Sequence, residues 1–125
     1  QELFAAFTED RYTQVATPLG RIEPVVSGEQ GLGVSPDLLS RATAEQLFLA
    51  LRLSYIENLA GAHPALPVLM DDILVNFDRE RRLAAIGVIA EFAENRQVVF
   101  FTCHSQTAEA FVKAAPDFTA LELTG

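Results

Sequence analysis

Asp71 and Asp72 stand side by side at the end of the apolar run Leu66-Pro67-Val68-Leu69-Met70, and a third carboxylate follows in Ile73-Leu74-Val75-Asn76-Phe77-Asp78. Two like charges at the end of a buried segment repel each other, and each loses hydration there. Such a pair is tolerated if a cation sits near it or if one carboxylate keeps its proton. The segment therefore asks for a metal, a proton, or both, and phosphate chemistry with Mg2+ meets that need first. On this reading Asp71 holds the ion, directly or through water, and Asp72 positions or deprotonates an attacking water. The competing reading is two solvated residues where a strand becomes a loop.

Three further groups carry possible chemistry. His104 follows the apolar run Val98-Val99-Phe100-Phe101-Thr102-Cys103. Alone it would be a structural hydrogen-bonding residue; on the same edge as the acid pair it becomes a candidate for catalysis. Neighbours in a strand point to opposite faces, so Cys103 and His104 are not expected to pair as a nucleophilic dyad. Asp78, after Asn76-Phe77, is an expected N-cap, a role that leaves room for a second one. Leu39-Ser40-Arg41-Ala42-Thr43 opens a helix, where Ser40 and the first backbone N–H groups could hold a phosphate, or where Ser40 or Thr43 simply caps.

The elements that must position these groups are legible in outline. Val68–Asp71 and Val98–Thr102 read as buried strands, with a helix from Arg79 to about Glu94 between them, striped by Leu83, Ile86, Ile89, Ala90 and Ala93 and closed by Asn95. Strand, helix, strand with both strands apolar predicts a parallel pair covered on both faces. Their carboxyl ends then share one sheet edge, where open α/β sheets bind ligands, so Asp71 and Asp72 meet Cys103 and His104 there. Upstream, Gln1 to Tyr12 reads as the end of a helix. Tyr12–Thr17 and Arg21–Ser27 read as a hairpin turning at Pro18-Leu19-Gly20, and Gly28–Pro36 as loop. A long helix is predicted over Thr43–Ala60, with Thr43-Ala44-Glu45-Gln46 as a capping box, Gly61 as its stop and Leu47, Leu51, Tyr55 and Leu59 on one stripe, widened by Phe48, Ala50, Leu53 and Ile56. Ser105–Ala114 reads as helix and Phe118–Leu123 as a last strand.

Composition sets the limits. The 125 residues suffice for one domain, and a half-apolar composition is globular material. No apolar run spans a membrane and no signal-peptide pattern opens the chain. The only Met is Met70, so the chain is expected to be a piece of something longer. A net charge of −8 disfavours broad contact with nucleic-acid phosphates. One Cys leaves no disulfide and no cysteine zinc site, and a reducing, cytoplasmic setting is expected. The single lysine, Lys113, lies in a helical pattern with no glycine loop before it, so the chain has no G-x-x-x-x-G-K-[ST] phosphate loop.

Taken in order, these pieces resemble the C-terminal lobe of an ABC-type ATPase head of the SMC/RecN kind, in particular the YhaN-like AAA/ABC proteins with long coiled coils. The likeness runs from about Tyr12 to the end. Leu39-Ser40-Arg41-Ala42-Thr43 followed by Glu45-Gln46-Leu47-Phe48-Leu49-Ala50-Leu51-Arg52-Leu53 resembles the family's signature motif and helix. Val68-Leu69-Met70-Asp71-Asp72 resembles Walker B, Asn76-Phe77-Asp78 the D-loop, and His104 the switch histidine of the H-loop. The resemblance implies a P-loop NTPase lobe of α/β class: a mostly parallel core sheet flanked by helices, with an N-terminal β-hairpin. Residues 1–36 would be hairpin and loop and 37–125 the motif-bearing part of one domain.

The same resemblance implies ATP and Mg2+ as ligands. Asp71 would serve Mg2+, Asp72 would take the catalytic acid position, and His104 would contact the γ-phosphate of the same ATP. Ser40, with Arg41, Ala42 and Thr43, would meet the γ-phosphate of an ATP held by a second head, and Asn76 and Asp78 would line the dimer interface. The partners implied are a Walker A lobe of the same protein and a second head. DNA would be reached by the parent protein rather than by this acidic lobe, in DNA repair or chromosome maintenance, and no membrane is involved. Three departures stand out: Asp72 where Glu is usual, although this subgroup often carries Asp-Asp; Ala42 for the second signature glycine; and Ile73 for the Pro after the acid pair. The chain alone is expected to be inactive. The alternatives are a non-hydrolysing dimerisation module and a receiver-like phosphotransfer domain, which would want a lysine at another strand end.

Overall fold

The structure, a computed structural model, describes residues 2–8, 11–16, 25–27, 33–60 and 66–123. The chain divides into two compact units, Gln1–Pro64 and Ala65–Gly125.

In the first unit, helix α1 (Glu2–Phe7) buries Phe4 and Phe7. Strands β1 (Gln14–Ala16), β2 (Val25–Ser27) and β3 (Gly33–Val34) form an antiparallel sheet in that order. Val15 faces Val26, which faces Val34 in turn. The predicted turn at Pro18-Leu19-Gly20 lies outside the described residues. The predicted loop over Gly28–Pro36 is corrected at Gly33 and Val34, which are a strand; residues 28–32 lie outside the described residues. Gly33 serves close packing there rather than a turn: a Cβ at this position would lie 2.6 Å from Val25 Cγ1.

Helix α2 (Arg41–Ala60) starts two residues before the predicted Thr43, because Ser40 is its cap. The Thr43 backbone N–H donates to Ser40 Oγ at 3.2 Å, and the two hydroxyls bond at 2.8 Å. The predicted capping box is therefore displaced. Gln46 lies buried with its Nε2 donating to the Phe7 carbonyl, which ties α2 to α1. The predicted apolar face holds in part: Leu47, Ala50 and Leu53 are buried, whereas Phe48, Leu51, Tyr55 and Leu59 are exposed, Tyr55 by 66%. The buried face is Thr43, Gln46, Leu47, Ala50 and Leu53, with Leu49 at its margin. The two polar residues on that face, Thr43 and Gln46, lie outside the predicted apolar set. The predicted stop at Gly61 lies outside the described residues.

In the second unit, β4 (Val68–Asp71) and β5 (Val98–Phe101) pair in parallel, with Val68 opposite Val98 and Asp71 opposite Phe101. This is the parallel component among the described residues. Helix α3 (Arg79–Ala93) joins the two strands and buries Ala85, Ile86, Val88, Ile89 and Phe92. Leu83, placed on the stripe from sequence, is partly exposed, and the helix ends in a Glu94 cap rather than at Asn95. The prediction that both faces of the strands are covered is corrected for the described residues. Met70 is buried, while Leu69 and Phe101 are 69% and 43% exposed.

Helix α4 (Ser105–Ala114) packs on α3, and Lys113 sits in its last turn. The predicted strand over Phe118–Leu123 does not form. The Phe118 N–H turns back to the Ala115 carbonyl at 3.0 Å, and its ring packs on Phe111 at 5.2 Å. Leu121 and Leu123 are exposed and lack a ladder partner among the described residues, without which an alternating pattern is not a strand.

Candidate functional site

The site is built at the carboxyl edge of β4 and β5. Asp71 is the last residue of β4 and is exposed. Asp72 follows with its N–H donating to the Phe101 carbonyl at 2.9 Å, so the ladder runs one residue past the strand. Its backbone then turns sharply, at φ 50°, a left-handed conformation that aspartate tolerates better than most residues. This turn swings the Asp72 side chain across the edge toward the end of β5.

Three side chains meet it there. Thr102 Oγ1 donates to Asp72 Oδ1 at 2.8 Å across a sequence separation of 30 residues. Cys103 Sγ donates to Oδ2 at 3.3 Å, and His104 Nε2 lies 3.3 Å from the same oxygen. Thr102 Oγ1 also accepts from the His104 backbone N–H at 3.1 Å, so one hydroxyl orients both the acid and the start of α4. The Thr102 hydrogen bond, helped by Cys103 and His104, holds the Asp72 carboxyl below its ordinary range against a modest desolvation cost. The Asp72 hydrogen bond and charge push the Cys103 thiol above its ordinary range.

Two expectations change. Neither acid is buried: Asp71 is exposed and Asp72 half-buried, so lost hydration is a smaller problem than the sequence suggested. Of the metal and the proton that the pair could use, the proton is disfavoured on Asp72, whose carboxyl the Thr102 hydrogen bond, with Cys103 and His104, holds below its ordinary range. A carboxylate held this way is a weak proton acceptor and suits the orientation of a water better than its full deprotonation. Cys103 and His104 were expected on opposite faces, yet both reach Asp72 Oδ2. β5 ends at Phe101, so strand alternation no longer governs them.

Asp71 is a fitting Mg2+ ligand. Its carboxylate has no hydrogen-bond or ion-pair partner among the described residues, and Mg2+ takes one or two carboxylates and keeps several waters. Beyond Asp72 the chain turns through residues 73–76, pinned by buried Leu74 and Phe77 and by Arg82 Nη2, which donates to the Phe77 carbonyl at 2.9 Å. Asn76 is exposed on this loop. Asp78 caps α3, as expected, accepting from the Arg81 N–H at 3.0 Å.

The remaining candidates, Ser40, Arg41, Ala42 and Thr43, lie in the first unit at the start of α2. Ser40 is engaged in its cap, Arg41 pairs with Glu45 at 3.2 Å, and Thr43 is buried. Sequence reasoning missed Thr102 and Arg82 as positioning residues. A hydroxyl one residue past the register partner of Asp71 was the available signal for Thr102; for Arg82 there was none.

The chain has the fold of part of an SMC ATPase head. It superposes on a solved structure of SMC ATPases described by their ATP-driven dimerization and DNA-stimulated activation, with a TM-score of 0.66 and 16% identity, covering 87% of this chain and 67% of that one. On the SMC head domain from Thermotoga maritima the TM-score is 0.60 with 19% identity, over 87% of this chain and 39% of that one. In sequence the chain is 31% identical over 111 residues to the uncharacterized protein YhaN of Bacillus subtilis (strain 168). That match covers 88% of this chain but 11% of YhaN, so the chain spans about a tenth of this relative's length. Together these likenesses are to a C-terminal lobe of an SMC-like head. No protein-family model matches the chain.

Proposed function

We propose that the chain is the C-terminal half of an ATP-binding and ATP-hydrolysing head of ABC type, carrying signature, Walker B, D-loop and H-loop elements of a coiled-coil parent protein. The observation that carries this reading is the Asp72 carboxylate, oriented by Thr102 and within 3.3 Å of His104 Nε2 at the strand edge beside Asp71, which has no side-chain partner among the described residues. Asp71 holds Mg2+, which when bound neutralises charge on the phosphate oxygens. Asp72 accepts a hydrogen bond from the attacking water and so aims it. His104, next to that carboxylate, offers an N–H to the γ-phosphate. Ser40 and the start of α2, with Arg41, Ala42 and Thr43, meet the γ-phosphate of a nucleotide held by a second head, while Asn76 and Asp78 face that head. The ATP-driven dimerization described for the solved SMC ATPases supports coupling nucleotide binding to head pairing here. The Walker A lysine comes from elsewhere in the parent, because Lys113 cannot supply it. DNA repair or chromosome maintenance is the proposed setting.

The deciding experiment is Asp72→Asn in the full-length parent protein. Asn tolerates the left-handed backbone at this position, so the substitution removes charge with little strain. Turnover should fall by about 100-fold or more while ATP binding persists, given the 10²–10⁴-fold typical of a positioned acid or base. The 125-residue chain alone should show no turnover. Unchanged hydrolysis in the variant parent would instead mean that another base serves the reaction, or that this lobe is a non-hydrolysing dimerisation module and turnover arises elsewhere in the parent; the Cβ of Ala42 also motivates the latter by limiting close backbone approach to phosphate.

A further inference from the structure

The geometry points to a second use of the same edge: Asp72, Cys103 and His104 form a binding site for a thiophilic divalent ion of the zinc class, distinct from the Mg2+ position at Asp71. One ligand atom from each of the three residues lies within 4.8 Å of the others. A lone cysteine rules out a site built from thiolates alone, but not one that adds an imidazole and a carboxylate. Oxygen, nitrogen and sulfur together are a donor set for Zn2+ or Co2+, whereas Mg2+ selects oxygen.

The spacing agrees with tetrahedral coordination. Arms of about 2.0–2.3 Å give ligand–ligand edges of about 3.3–3.7 Å. Two edges already have nearly that length, with Asp72 Oδ2 at 3.3 Å from both His104 Nε2 and Cys103 Sγ. The third, from Sγ to the imidazole, is no longer than 4.8 Å and closes by a small rotation of either exposed side chain. The Thr102 hydroxyl fixes the carboxylate through its other oxygen and holds the His104 backbone, as outer-shell groups do at metal sites. With Cys103 and His104 exposed, a fourth position is open to water. As the sulfur–metal bond forms, the thiol proton leaves to solvent. An ion held here occupies the Oδ2 and Nε2 that the proposed hydrolysis needs, so the two uses exclude each other. That consequence rests on the ATPase reading; metal binding itself does not.

The test uses Co2+ as a probe on the reduced 125-residue chain, without nucleotide. Titration should give a thiolate-to-cobalt charge-transfer band and tetrahedral d–d intensity that saturate at one ion per chain, are bleached by Zn2+ and survive a large excess of Mg2+. The charge-transfer band should vanish in Cys103→Ser. Affinity should drop about 10-fold or more in His104→Ala, Asp72→Asn and Thr102→Val, the last of which removes no ligand. Because Cys103 is the only cysteine, alkylation of the unmutated chain provides a second measurement that no folding defect can confuse. Equimolar Zn2+ should slow it about 10-fold or more, with no effect of Mg2+. A cobalt spectrum without the thiolate band, a band that persists in Cys103→Ser, or an alkylation rate indifferent to Zn2+ would overturn the site. None of these outcomes bears on whether the parent hydrolyses ATP.

Discussion

At the scale of single residues, the acid pair divides its labour by geometry. Asp71 keeps the strand conformation and a carboxylate with no partner among the described residues, while Asp72 takes a left-handed backbone and meets Thr102, Cys103 and His104. The backbone also accounts for aspartate rather than the longer glutamate at this position, since a short polar side chain suits φ > 0. The network has a readable pH signature. The Asp72 carboxyl is held below its ordinary range, so its stabilising contribution is present above about pH 3.9, the unfolded value, and is lost as pH falls through the lower folded one. The Cys103 thiol is held above its ordinary range, so its contribution is complete below the unfolded thiol pKa and lost as pH rises through the folded one. Both groups face solvent, so the effect on stability is small and thiol reactivity is the sharper readout. In Asp72→Asn the charge that opposes the thiolate is gone. The pH midpoint of Cys103 alkylation should move down, and the rate near neutral pH should rise. A midpoint that stays in place or moves up would mean that the Asp72–Cys103 contact does not persist in solution.

At the scale of elements, the part most legible in sequence was the strand–helix–strand unit. Its strands carry continuous apolar runs, its helix has a capping aspartate, and parallel strands must share a carboxyl edge, so Asp72 and His104 could be brought together before any coordinates. What escaped was set by side chains whose partners lie far along the chain. Gln46 matched a local capping box, yet it is buried and bonded to the Phe7 carbonyl, 39 residues away. The Phe118–Leu123 pattern matched a strand but has no ladder partner among the described residues. Cys103 and His104 were assigned by strand alternation just where the strand stops. Gln46 offers a clean test of the long-range kind. Gln46→Leu keeps comparable bulk and removes the donor, leaving the Phe7 carbonyl buried and unpaired. Stability should fall by about 1–3 kcal/mol in urea unfolding, with the m-value unchanged. A loss below about 0.5 kcal/mol, the range of ordinary surface substitutions, would show that this bond does not hold α1 to α2.

At the scale of the whole molecule, two features oppose each other. Each unit exposes large apolar side chains: Phe48, Leu51, Tyr55 and Leu59 along α2 in the first, and Leu66, Leu69 and Phe101 on and beside the parallel pair in the second. Strands that are apolar on both faces read as doubly covered, and the sequence could not say that the cover is absent from the described residues. Exposed apolar surface of this kind drives association. The net charge of −8 opposes it, since every copy repels every other. Salt shifts this balance in one direction only. Raising ionic strength from 0.1 M to 1 M shortens the screening length from about 10 Å to about 3 Å, weakening the repulsion while leaving apolar contact intact. The isolated chain should therefore associate more strongly with both concentration and NaCl in sedimentation equilibrium. Leu69→Thr combined with Phe101→Thr should reduce that association, because threonine keeps strand preference while removing most of the exposed apolar area. A chain that stays monomeric at high concentration and high salt would show that these side chains are too dispersed to act as one sticky surface. Association that weakens with salt would instead assign it to charge pairing rather than apolar contact.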